Sequence, residues 1–231
     1  MDFISPYTAQ FKLPFEPFGL NDTERAIEIP WALSCIRTDE KVLDIGYAYA
    51  EPRYMDELLK LPLVELWGVD YVMKDEYPSM KKVKADFRDL SLLPRNFFDT
   101  ILCVSTIEHV GFNNDIYFKE PNFVKDPDAD LVAVAEMVKT LKPKGKLIIT
   151  VPFGKLVDYG WFMQYDSMRI TRLISHSKCY VVEFDFFIYK NHGWNKCKEA
   201  ELAEIEYKSN DAPAAAGLCC AMLVKKDTVH F

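Results

Sequence analysis

The chain has 231 residues, 49% of them hydrophobic and 27% charged, with a formal net charge of −7. That size and apolar content allow one α/β domain with a full core, so a single domain over 1–231 is expected. An acidic balance argues against a sequence-independent grip on nucleic-acid phosphates, which rests on clustered lysine and arginine.

The N-terminus, "MDFISPYTAQ", lacks a basic segment followed by an apolar core, so no signal peptide is expected. No apolar run approaches 18 residues, and no membrane span is expected. Six cysteines occur without a Cys-x-x-Cys pair, and Cys103, Cys219 and Cys220 lie inside apolar runs. Buried thiols in a reducing compartment fit this better than a disulfide framework or a zinc site. The expected location is the cytoplasm, with no bound metal.

Residues 1–20 hold three prolines and no periodicity and read as an extended arm. Asn21-Asp22-Thr23 can cap a helix over "ERAIEIPWALSCI", which Pro30 is expected to kink or interrupt. From Lys41 onward, short apolar runs recur at 42–46, 65–70, 98–104 and 145–151, spaced by mixed or helical pattern. Strands alternating with helices imply a doubly wound, mostly parallel sheet. "DPDADLVAVAEMVKTLKPKG" is the clearest helix, with Asp128 as its cap and Pro143 and Gly145 at its end. In the last third, "CYVVEFDFFIYK" and "GLCCAMLVKK" read as an antiparallel strand pair closing one sheet edge, with a short helix near Glu199–Glu204 between them.

Ligands of an open parallel sheet bind beyond the carboxyl ends of its strands. Acids and turn residues stand there in series. Asp44-Ile45-Gly46 ends the first run, Asp70 the second, and Asp86 follows a short third in "VKADFRDL". "FDTILCVSTIEHVG" brings Ser105, Glu108 and His109, and "IITVPFG" ends the fifth. A lone Asp after a strand is more often a helix cap than a ligand. A carboxylate some 24 residues beyond a glycine turn, the spacing from Gly46 to Asp70, has the oxygens to accept both hydroxyls of a ribose.

Taken in order, "VLDIG", Asp70, "ADF", the fourth-strand motif and "LKPKGKLIITVPFG" resemble class I S-adenosylmethionine-dependent methyltransferases over about residues 41–154. The resemblance implies a seven-stranded Rossmann-like sheet and S-adenosylmethionine as cofactor. It further implies a cofactor set of Asp44, Gly46, Tyr47, Ala48, Asp70, Tyr71, Asp86, Phe87, Val104, Ser105 and Thr106. Asp70 would take the ribose, and Asp86 and Phe87 would frame the adenine. The usual Asp-x-Gly-x-Gly-x-Gly loop here reads Asp44-x-Gly46-x-Ala48-x-Ala50. Alanine fits such a loop only where φ is negative. A narrower similarity of "STIEHVG" and "DPDADLVAVAEMVKTLKPKGKLIITVPFGK" to methyltransferases of bacterial and archaeal glycan and cell-surface genes implies a sugar or nucleotide-sugar acceptor. A homodimer stays open.

Methyl transfer to a hydroxyl needs alignment and removal of one proton. His109 is the candidate base, with Glu108 orienting it or holding the cofactor's amino group; the competing reading makes "EHVG" a structural helix start. The insertion 112–127, rich in aromatics and acids, has the length of a lid. Asp126, Asp128 and Asp130 alternate as in a calcium loop but lack the sixth-position glycine, which favours helix capping. Two other readings compete: a methyltransferase-like binder without turnover, and an NAD(P)-dependent oxidoreductase. The second fails on the missing second and third glycines.

Overall fold

A computed structural model of the chain describes residues 19, 21–119 and 123–227. The arm expected over 1–20 lies outside them except for Gly19. In chain order the elements are α1 (Arg25–Ser34), β1 (Lys41–Ile45), α2 (Pro52–Lys60), β2 (Glu65–Asp70), β3 (Lys81–Lys84) and β4 (Phe98–Val104). There follow α3 (Ala129–Thr140), β5 (Leu141–Pro152), the short β6 (Val157–Asp158) and β7 (Met163–Gln164), and α4 (Ser167–Ser177). β8 (Cys179–Lys190), β9 (Gly193–Cys197) and β10 (Gly217–Lys225) complete the chain.

The main sheet has the order β3-β2-β1-β4-β5-β10-β8-β9, parallel from β3 to β5 and antiparallel beyond. Alternate strand residues point to opposite faces, and the sequence uses both. Leu43, Ile101, Cys103, Leu147 and Ile149 pack with Val134 and Met137 of α3 and Leu173 of α4. Val42, Leu102, Ile148 and Cys220 face the other way, against Ile29 of α1 and Met55 and Leu58 of α2. Two-sided burial explains why these strands read as unbroken apolar runs.

Among the described residues the sheet has eight strands rather than the expected seven. β8 and β10 do pair, but β10 inserts between β5 and β8, and the extra strand β9 takes part of the outer edge. Asn191 and His192, at φ 55° and 60°, make the tight turn from β8 into β9. Such a left-handed pair matches the twist of a hairpin. A second sheet, β6 with β7, is a small antiparallel hairpin absent from the sequence reading.

Four local expectations change. α1 runs through Pro30 without a break. α3 ends at Thr140, three residues before Pro143, because Leu141 turns extended and begins β5. Asp128 stands at the N-terminal boundary of α3 but makes no cap; its carboxylate receives Arg169 Nη1 at 2.7 Å and Arg172 Nη2 at 2.8 Å. With Asp130, which also pairs with Arg169 and accepts from the Tyr165 hydroxyl, this ties α3 to α4. The expected helix near 199–204 is a single 3-10 turn, Glu199–Leu202.

Candidate functional site

At the carboxyl ends of β1, β2 and β4 a cleft encloses about 1090 Å³, open mouth included, the upper end of small-molecule sites (roughly 300–1,000 Å³). It is positioned where the strand order reverses direction between β1 and β4. Asp44, Gly46, Asp70, Tyr71, Asp86, Phe87, Val104, Ser105, Thr106 and His109 all line it.

Gly46 begins the loop at φ 92°, and its N–H donates to Val69 O at 2.9 Å. A Cβ there would lie 2.6 Å from Thr106 Oγ1, so this position needs glycine for both conformation and space. Tyr47–Tyr49 then form a 3-10 turn, and Ala50 is extended at φ −62°. Neither Ala48 nor Ala50 has a positive φ, which is why alanine serves at both.

Tyr47 and Ala48, expected at the cofactor, are not on the cleft wall. Tyr47 is buried under the loop, and its hydroxyl accepts from Lys74 N at 3.3 Å. Ala48 offers its N–H to Asp70 Oδ2 at 3.0 Å, and Val72 N–H reaches Asp70 Oδ1 at 3.1 Å. Asp70 thus fixes the loop. Each carboxylate oxygen has two lone pairs, so acceptor capacity remains toward the cleft.

The three aspartates of the wall differ in environment. Burial pushes Asp44 up to about 7; its partner, the Tyr54 hydroxyl, opposes the rise and the Asp70 charge adds to it. Burial also raises Asp70, against the pull of its backbone N–H partners. At Asp86 burial acts upward as well, but the hydrogen bonds and charge of Arg88 win and hold it below the usual range.

At the other end, His109 Nδ1 lies 2.9 Å from Trp161 O. A carbonyl only accepts, so Nδ1 carries the proton and Nε2 presents a lone pair. Burial pushes His109 down to about 4, and the Arg25 charge acts in the same direction. The ring is neutral at pH 7. Glu108 does not line the cleft. Its Oε1 sits 4.0 Å from His109 Nε2, beyond hydrogen-bond range, so the orienting partner is the Trp161 carbonyl and not Glu108. Glu108 Oε2 is buried without a partner among the described residues, and burial raises this carboxyl well above the ordinary value.

Ser105 adopts φ 40° at the end of β4, its N–H bound to Thr150 O at 3.1 Å. Its hydroxyl donates at 2.6 Å to the buried Glu28 of α1. The sequence reading missed several cleft residues: Arg25, Tyr49, Tyr54, Arg88, Asn114 and Tyr117. Arg25 gave only a faint signal, an i,i+3 partner in Glu28. Within the insertion, Tyr117 packs on Tyr49 with centroids 5.2 Å apart, and Phe118 stacks on Tyr71 at 4.8 Å. Phe112, Asn114, Tyr117, Phe118 and Phe123 bring that segment onto the cleft.

No protein-family model matches the chain, and no curated protein matches it. Solved structures do. Among them is a 1,6-didemethyltoxoflavin-N1-methyltransferase of Burkholderia thailandensis, bound to 1,6-didemethyltoxoflavin and S-adenosylhomocysteine. The TM-score is 0.55 at 16% identity, over 82% of this chain and 72% of that one. The N-methyltransferase NodS of Bradyrhizobium japonicum, with S-adenosylhomocysteine, gives 0.51 at 15% identity, over 82% and 80%. The [4+2]-cyclase SpnF gives 0.52 at 11%, over 83% and 76%. At these identities the finding is the fold: a Rossmann-like sheet shared with S-adenosylmethionine-dependent methyltransferases and with a cyclase of different chemistry.

Proposed function

We propose that the protein is an S-adenosylmethionine-dependent methyltransferase acting on a small polar acceptor. One observation carries the reading. The left-handed Gly46 turn, the Asp70 carboxylate and the Asp86–Phe87 pair converge on one cleft in a fold known for that cofactor. The residues fit the group. Gly46 opens space where a Cβ would strike Thr106, Asp70 keeps lone pairs for a ribose diol, and Phe87 offers a ring to the adenine. Arg88 occupies both oxygens of Asp86, so Asp86 reaches an exocyclic amine only through its remaining lone pairs.

S-adenosylmethionine supplies an activated methyl group on a positively charged sulfur. The protein's task is to align the acceptor and take its proton. His109 takes it at Nε2, with the Trp161 carbonyl holding the tautomer. A base pushed to about 4 is weak at pH 7, so alignment contributes more of the rate than proton removal. The finer reading is O-methylation of a sugar or glycan precursor, supported by the resemblance of "STIEHVG" and the following helix. Cys35, Cys103, Cys219 and Cys220 are buried free thiols, which supports a cytoplasmic location. The segment 112–127 is read as a lid on the strength of its aromatic pairs with Tyr49 and Tyr71.

A second reading, cofactor binding without methyl transfer, draws support from the low basicity of His109. Methyl-labelled S-adenosylmethionine with panels of hydroxylated and amine acceptors separates the two. Label on an acceptor oxygen is the expected result. Label on nitrogen alone would overturn the O-methylation reading, and tight binding with no label on any acceptor would favour the binder.

A further inference from the structure

Resting on the methyl-transfer reading, we propose that Arg25 is the acceptor-recognition residue of the cleft, its free N–H fork taking two vicinal hydroxyls of a neutral ring. Arg25 opens α1 and lines the cleft with its side chain about one-third exposed, at 32%. Its Nη1 donates to Glu28, one helical turn on. Its other guanidinium N–H groups meet no partner among the described residues. Glu28 is fully buried and is held in turn by the hydroxyls of Ser105 and Thr150, each at 2.6 Å. A buried carboxylate is costly unless every oxygen is satisfied. Here it is satisfied by groups that aim one arginine at the cleft, which is how a positioned recognition residue is built.

Charge narrows what Arg25 can take. Its ion pair with Glu28 already balances it, so an anionic acceptor gains little net attraction. A cationic amine would meet the guanidinium directly. Neutral oxygens remain, and the planar fork of parallel donors matches two oxygens on adjacent carbons. The cleft also holds Tyr117, edge-on to His109 with centroids 5.7 Å apart, an apolar surface for the C–H face of a ring. Arg25, His109 and Tyr117 all line this one cleft.

Arg25→Lys keeps the ion pair with Glu28 and removes the fork. Binding is read by saturation-transfer NMR on protein saturated with S-adenosylhomocysteine. The probes are gluco-, galacto-, manno- and rhamno-configured methyl pyranosides, their 2,3-dideoxy analogues, succinate and spermidine. At least one diol-bearing pyranoside should bind, its dideoxy analogue should not, and Arg25→Lys should weaken it tenfold or more with S-adenosylhomocysteine affinity unchanged. Equal pyranoside binding by the variant, binding of succinate or spermidine instead, or no pyranoside binding would each overturn the assignment. Failure of S-adenosylhomocysteine to bind the wild type would show that the methyl-transfer reading itself is wrong, and the assignment would fall with it.

Discussion

Replacing Asp70 by alanine tests two roles at once. The carboxylate accepts from the backbone N–H of Ala48 and of Val72, and hydrogen bonds to a charged group contribute about 1.5–3 kcal/mol each. Losing both costs about 3–6 kcal/mol. Part of this is offset because the buried carboxylate is itself poorly solvated, as its raised pKa shows. A net loss of about 2–4 kcal/mol remains, and for a chain of this length each kcal/mol moves Tm by about 2–4 °C. Calorimetric unfolding should therefore show Tm lowered by about 5–15 °C. Titration with S-adenosylhomocysteine, below that Tm, should show affinity reduced at least about tenfold, the loss of the ribose hydrogen bonds. An unchanged Tm would refute the loop-anchoring role, and unchanged affinity in a folded variant would refute the ribose role.

Gly46→Ala should lose about 1–2 kcal/mol to the left-handed backbone alone, and more to the contact with Thr106; thermal unfolding and cofactor titration should both register it. His109→Ala should lower turnover by roughly 10²-fold or more and leave S-adenosylhomocysteine affinity intact; reduced stability with unchanged activity per folded molecule would return His109 to the scaffold. Because folding depresses His109 from 6.5 to about 4, its stability contribution is present above pH 6.5 and lost as pH falls through 4. That loss reaches about 3 kcal/mol, so denaturant titrations from pH 7 to 4 should be flatter for His109→Ala. Asp44, raised to about 7, gains negative charge across neutrality, so the affinity ratio of S-adenosylmethionine to its uncharged-sulfur product should rise from pH 6 to 8 and stay flat in Asp44→Asn.

The parallel half of the sheet was legible because strands buried on both faces leave continuous apolar runs, as Leu43 with Val42 and Ile101 with Leu102 show. β9 was not: "GWNKC" is short, and only Trp194 of it is well buried. Asp44, Gly46 and Asp70 were legible because each closes a buried run, whereas Asp86, two residues past the half-exposed β3, was legible only from its place in the ordered series. Side-chain allocation was not. Asp128 has the sequence place of a cap, yet two arginines from α4, about forty residues on, take its carboxylate. Arg25 was hidden for the same reason, since its partners Ser105 and Thr150, reached through Glu28, are 80 and more residues away in the chain. Tertiary contacts of this range leave no local periodicity.

Isothermal calorimetry of the purified protein against S-adenosylmethionine, S-adenosylhomocysteine and NAD tests the central claim most directly. The account predicts one saturable site for the two sulfur nucleosides, abolished together by Gly46→Ala, and no heat with NAD. Saturable NAD binding, or no binding of either sulfur nucleoside, would contradict it.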